Sequence, residues 1–493
     1  LKAKGSITIY ICLTMIVVLS LITTGIRSAI IADARVSMVS AMDLGLYSLF
    51  GQYDKELMEE FGLLFIDGGY GNTDLQLGNV YQELEKHVTY NLFLESWKGE
   101  WRPSVTAGSI NGYTLATDNN GGVFKEQVIA YMKETLGAQG IQFLLEQVNV
   151  DSEIIKQHEL EKEKISSGDI ETYETMKKAQ EEAERAAALA GDTNEEGAAN
   201  EIEVPVDPGF VNPIEIIKSL KDLGTLALLI PDEDKLSRKE VDLSIYTSKR
   251  ELQQGLGVVS TGDETEGLVN DMLFQEYLLK NYGNYVSPKA NAALEYQLEY
   301  LLEGKNSDVE NLKGVANKLL LIREAINIVH IATDTSKRSQ TSAMALTIAS
   351  LIGIPPLYQI IESLLIVFWA FGESVLDVRA LFNGEKVPLL KDNSTWKLSL
   401  SNLGNLSQIM SDNETTKDSK GLDYQGYLRL LLLVENDKNK VMRGMDVVEM
   451  TIGSIPGREN FRLDSCIASL EVEMQMKIWK NEYSIWRSYG YDM

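Results

Sequence analysis

Three histidines, His87, His158 and His330, are the first side chains with the means for chemistry, and they fall in separate segments. None has a second histidine at metal-ligand spacing or a cysteine nearby, so a zinc site lacks its parts. His330 follows an apolar helical stripe and reads as a structural histidine. No Gly-x-Ser-x-Gly elbow is present for a hydrolase nucleophile. The stretch "GLGVVSTGDETEG" at 255–267 is glycine-rich but lacks the Lys-Ser/Thr that closes a phosphate loop. It follows no convincing strand and reads as a mobile loop. "DGGYGNTD", Asp67 to Asp74, offers carboxylates without the ordered acidic positions and terminal Glu of a twelve-residue calcium loop. Paired carboxylates carry no signal, because 72 acidic residues produce such pairs by chance. The expectation is a protein that is not an enzyme, with no catalytic residue, no metal and no cofactor.

The elements that would position any site start with "KGSITIYICLTMIVVLSLITTGIR", residues 4 to 27. From Gly5 to Ile26 there is no charge, and Lys2, Lys4 and Arg27 bracket the run. About 1.5 Å per residue takes this run across a hydrocarbon core of about 30 Å. A cleavable signal has a shorter apolar core and a small-x-small cleavage site, so the run reads as a retained anchor. Lys2 and Lys4 on the short flank place the N-terminus in the cytoplasm and the bulk outside. Beyond the anchor, Met38, Met42, Leu46, Leu49, Tyr53, Leu57 and Phe61 recur at spacings of three and four. One apolar helical face follows, on one long helix or two nearly continuous ones ending at Gly62.

Length and composition bound the rest. At 493 residues the chain holds two or three units rather than one core. The net charge of −26 excludes nucleic acid as a partner, since phosphates need a basic face. Cys12 lies in the apolar run and Cys466 near the far end, so no intrachain disulfide is expected.

The predicted fold class is α+β. A transmembrane helix (1–26) continues into an amphipathic helix and a first α+β lobe (27–150), with strand character at 62–69, 87–95 and 108–122 and a helix from Val123 to Leu136. A charged alanine/glutamate-rich helix or linker (151–204) follows. A mainly helical region (205–400) contains an antiparallel helix pair at 291–305 and 308–333, and an uncharged stretch at 339–372 broken by Pro355 and Pro356. That stretch reads as a buried or partner-facing hairpin, with a hairpin dipping into the membrane surface as the alternative. The C-terminal part (401–493) is α+β. In it Leu470, Val472, Met474, Met476 and Ile478 alternate with polar residues, the period of a half-buried strand.

"KGSITIYICLTMIVVLSLI" resembles the N-terminus of Tad (tight adherence, Flp-type) minor pilins or pseudopilins. "FGQYDKELMEEFGLLFID", "YTLATDNNGGVFKEQVIAYMKETLG", "LEYQLEYLLEGKNSDVENLKGVANKLLLIREAINI", "FWAFGESVLDVRALFNGEKVPL" and "YLRLLLLVENDKNKVMRGMDVVEM" resemble large single-pass exported proteins of Gram-positive bacteria found with such pilus systems. The resemblance implies a processing junction between Gly5 and Ser6. Tyr10 then stands at the fifth mature position, where pilins carry a glutamate that meets a neighbour's amine. Tyr10 cannot form that ion pair, so the helix is expected to stay uncut in the membrane. Thr14, Ser20, Thr24 and Gly25 would pack against partner helices.

The function so implied is a membrane-anchored, non-enzymatic, pseudopilin-like component of a Tad/Flp-type pilus or secretion apparatus. Its partners would be the membrane, other pilin or pseudopilin subunits and pilus-assembly membrane proteins, and its place the cell membrane with the bulk of the chain extracellular. The rivals are an anchored adhesin or ligand-binding module independent of pili, and an anchored cell-wall-active enzyme.

Overall fold

The architecture is that of a computed structural model. It describes residues 4–92, 99–137, 139–142, 144, 224–230, 236–257, 267–290, 292–351, 358–405 and 421–491. The alanine/glutamate-rich segment 151–204, His158 and most of the 255–267 stretch lie outside these residues. The chain divides into two compact units, one of Leu1–Thr135, Leu243–Tyr277 and Val441–Met493, the other of Leu136–Asp242 and Leu278–Lys440. The fold is mixed α+β and mostly helical.

In the first unit, helix α1 (Lys4–Phe50) is continuous over 47 residues, roughly 70 Å at 1.5 Å each. It stops at Gly51, and α2 (Lys55–Phe61) restarts the apolar stripe after a short break. The Asp54 carboxylate accepts from Leu57 N–H at 3.0 Å to cap α2. Gly62 closes it at φ 68, the left-handed conformation that glycine adopts without strain. The second half of α1 buries Ala34, Met38, Ala41, Met42, Leu46 and Leu49, each 0–2% exposed. At roughly 2 kcal/mol per large apolar side chain removed from water, this face fixes the helix on the unit.

Its partner is an antiparallel sheet. Strand β3 (Cys466–Ile478) is central. It pairs along one side with β2 (Ser104–Leu115), and along the other with β4 (Asn481–Gly490) and the short β1 (Ile66–Asp67). The period-two pattern holds: Leu470, Val472, Met474, Met476 and Ile478 are buried, while Gln475 and Lys477 are exposed. Register steps at Thr106 and Asn111 put bulges into β2, which sharpen its twist. Helix α3 (Leu77–Asn91) completes the helical layer with Val80, Leu84 and Val88.

Over its described residues the expected strand at 87–95 is helix instead. Val80, Leu84 and Val88 repeat every fourth residue, and Val88 nestles against Gly45 of α1. Burial of that stripe outweighs the local β preference of Val88, Thr89 and Tyr90. Strand 104–115 and the helix over 118–137 follow close to their expected places.

The second unit is helical. Gln297–Glu303 and Asp308–Thr333 form the expected pair, the latter capped by Ser307 Oγ accepting from Glu310 N–H at 3.3 Å. Thr335–Leu351 and Tyr358–Phe382 make the arms of the predicted hairpin, with Ala345, Ile348 and Leu365 buried together. Pro355 and Pro356 lie outside the described residues. Tyr358–Phe382 buries Trp369, whose indole N–H donates to Leu398 O at 2.7 Å.

Candidate functional site

Helix α1 is the structural feature most unlike an ordinary core helix. Ile7, Ile9, Ile11, Leu13, Ile16 and Leu21 are all more than half exposed. Among the described residues α1 is the one helix long and apolar enough to cross a membrane. Threonine hydroxyls along it bond back to the helix: Thr14 Oγ1 donates to Ile11 O at 2.9 Å and Tyr10 O at 3.0 Å. Thr24 Oγ1 donates to Ser20 O at 2.7 Å. A hydroxyl bonded back to its own helix can sit in hydrocarbon without an orphaned donor. Tyr10 is exposed, and a Cβ at Gly25 would meet nothing within 4 Å. At about 100° per residue Thr14, Ser20, Thr24 and Gly25 fall within roughly 140° of one another, on one broad side of α1. Lys4, Gly5 and Ser6 belong to the first turns of α1, while Lys2 lies outside the described residues.

The lower half of α1 and strand β4 run alongside each other, matched rung by rung. Arg27 lies over the Trp479 ring at 5.0 Å and Arg35 over the Tyr483 ring at 5.0 Å. Arg487 Nε donates to Asp43 Oδ1 at 2.7 Å. Tyr489 packs on Phe50 with centroids 5.0 Å apart, and Tyr491 Oη donates to Phe50 O at 2.7 Å. Twenty-three helical steps from Arg27 to Phe50 rise about 35 Å. Twelve strand steps from Trp479 to Tyr491 rise about 40 Å, so the two elements keep pace over their whole contact. The Trp479–Lys480 turn therefore marks the place where the uncovered half of α1 begins.

Two clusters of buried charge in the first unit pair acids with arginines. In the first unit Asp54 and Asp67 face Arg458, the latter at 3.6 Å, so a guanidinium occupies the acidic loop. Burial raises the Asp67 carboxyl, against the Gly69 N–H and Arg458. Glu449 takes a bidentate pair from Arg250, at 2.7 and 2.8 Å, and Asp464 pairs with the same guanidinium.

In the second unit Arg323 is fully buried. It donates to Asp377 Oδ2 from Nε at 3.0 Å and from Nη2 at 2.9 Å, and to the Pro388 and Leu389 carbonyls at 3.0 and 2.8 Å. Burial works against its charge, but the Asp377 carboxylate outweighs that and holds the guanidinium above its usual range. Lys391 bridges Asp377, at 2.6 Å, and Glu373. Every charge here has an opposite partner and none faces solvent, an arrangement suited to fixing helices rather than to turning over a substrate.

Of the histidines, His87 Nε2 meets Gln52 Nε2 at 2.9 Å, and His330 stacks on Trp396 with centroids 5.2 Å apart. Burial, helped by Lys337, lowers the His330 imidazole from its usual value. Among the described residues no group of three His, Cys, Asp or Glu side chains is placed to hold a metal. Cys12 is exposed and Cys466 buried, and both are free.

Residues around Trp479 escape a reading of the sequence. "WK" is a two-residue hairpin turn without Gly, Asn or Asp, the usual turn signals, and its partners Arg27 and Trp101 come from distant segments. The alternation that runs up to Ile478 and then ceases is the one local sign that a turn falls there.

These elements define a mixed α+β protein carrying one apolar N-terminal helix fit to cross a membrane, with that helix continued as the spine of a helix-on-sheet unit. By sequence the chain belongs to a family of unknown function (DUF5702), whose model matches residues 206–478, more than half of the chain. No curated protein and no solved structure matches it.

Proposed function

We propose that this protein is a membrane-anchored, non-enzymatic, pseudopilin-like component of a Tad/Flp-type pilus or secretion apparatus. The observation that carries the reading is the division of labour within one unbroken helix. Residues 7–26 of α1 are apolar and uncovered, while Ala34–Phe50 lie on an antiparallel sheet. A helix so built holds its domain at the bilayer and offers its apolar half to neighbouring membrane helices. Thr14, Ser20, Thr24 and Gly25 form the face on which such a neighbour approaches closely.

Tyr10, in place of a carboxylate, leaves a partner's N-terminal amine without a counter-ion in lipid. The protein in this reading is a stationary base or nucleating subunit, with its N-terminal lysines on the cytoplasmic side, rather than a repeating filament subunit. Deletion of the gene tests this: loss of surface pili supports the reading, and intact pili with lost attachment supports an independent adhesin. N-terminal sequencing of the native chain tests the static helix, since a mature chain beginning at Ser6 would mean processing.

A further inference from the structure

We infer that the cleft beside the Trp479–Lys480 turn binds the phosphate of an anionic phospholipid headgroup. The inference rests on the anchoring role of α1 proposed above. The cleft encloses about 830 Å³ and is lined by Arg102, Lys477, Trp479 and Lys480, with Glu85 as the acid in its wall. Arg27, the first charge after the uncharged run, lies over the outer ring of that lining, Trp479, at 5.0 Å. Where α1 leaves the hydrocarbon, this edge of the cleft is at headgroup level.

The charge there runs against the rest of the chain. In a protein of net charge −26, Arg27, Arg102, Lys477 and Lys480 gather around one turn, against Glu85 and Glu482, which stands opposite Lys477 in the sheet. Phosphate is the anion this set suits: a guanidinium offers it a forked pair of N–H groups, and the ammonium groups add compact charge. Trp101 and Trp479 stack at 5.3 Å with planes 16° apart, and Lys480 lies 5.3 Å from the Trp479 ring. Tryptophans of this kind favour the membrane–water boundary. Trp479 also holds φ 53, a left-handed backbone that bulky residues avoid, at a turn position where glycine is usual. Strain retained at one such position marks a place where the side chain is needed.

The full-length chain in detergent micelles doped with phosphatidylglycerol or phosphatidylcholine, read by native mass spectrometry, tests the inference. Phosphatidylglycerol should be retained in preference by about tenfold or more, and the triple variant Arg102→Glu, Lys477→Glu, Lys480→Glu should lose that preference. These side chains are at the surface, and an unchanged melting temperature confirms that the variant folds. Equal retention of the two lipids by the wild type overturns the site, as does a triple variant that still selects phosphatidylglycerol. Displacement of the lipid by millimolar inorganic phosphate would replace a lipid ligand with a soluble phosphate and also overturns it. The chain is reconstituted in parallel into phosphatidylcholine vesicles and washed with carbonate. Extraction there overturns the anchor and the site together, whereas retention without headgroup preference overturns the site alone.

Discussion

The guanidinium of Arg27 and the indole of Trp479 face each other at 5.0 Å, joining the end of the apolar run of α1 to the tip of the β3–β4 hairpin. A double-mutant cycle with Arg27→Ala and Trp479→Ala should give a coupling of about 0.5–1 kcal/mol in the melting of the full chain. Trp479→Ala alone should cost more, because it also removes the stack on Trp101. Additive single effects would mean that the two elements are held by Arg35, Asp43 and Phe50 without this contact.

Gly45 sets two effects against each other. Alanine in a helix interior is favoured over glycine by about 1 kcal/mol. A Cβ at Gly45, however, would come within 2.5 Å of Val88 Cγ2 and 3.2 Å of Val88 N. Overpacking of this kind costs about 1–3 kcal/mol, and a backbone atom cannot rotate away. Gly45→Ala should therefore lower the melting temperature, and a rise would show that α3 slides without cost.

Glu299 makes the second unit sensitive to pH. Its Oε1 accepts from Tyr424 Oη at 2.6 Å and Tyr285 N–H at 2.8 Å, while Oε2 is buried without a hydrogen-bond partner. Burial pushes the carboxyl from the usual 4.5 up to about 7. The folded state then holds this proton more tightly than the unfolded chain. Its contribution is fully present below pH 4.5, declines from there up to about 7, and is lost above. Glu299→Gln should flatten the difference in stability between pH 5 and pH 8 by ~3 kcal/mol. Parallel profiles for wild type and variant would place the pH dependence elsewhere.

Asp377 is the counter-charge for two buried cations, Arg323 and Lys391. Asp377→Ala leaves them with Glu373 alone, and breaking such a set costs about 3–5 kcal/mol. Denaturant unfolding should show that loss, and a change below 1 kcal/mol would mean that water reaches the cluster.

Strong periodicity was legible without the structure. The alternation from Leu470 to Ile478, the stripe of Met38, Met42, Leu46 and Leu49 that resumes at Leu57 and Phe61, and the Gly62 cap all act within a few residues of themselves, so local sequence carries them. Tyr53, expected on that stripe, falls in the break between α1 and α2 and is exposed. Val88 was misleading because its β preference is local while its burial against Gly45 is not. The joining of residues 243–277 and 441–493 to the first 135 in one unit depends on contacts such as Arg250 with Glu449, which no short window contains. The Arg27–Trp479 edge of the candidate headgroup site is hidden for the same reason, and its turn lacks the residues that announce turns.

Photocrosslinking in living cells, from an unnatural residue placed at Thr24 of the full-length chain, tests the proposed function most directly. The account predicts a discrete adduct with another single-helix, pilin-type membrane protein, lost when the probe is moved to Leu19 on the far side of α1. Adducts with lipid alone from both positions would contradict it, and would leave α1 as an anchor with no helical partner.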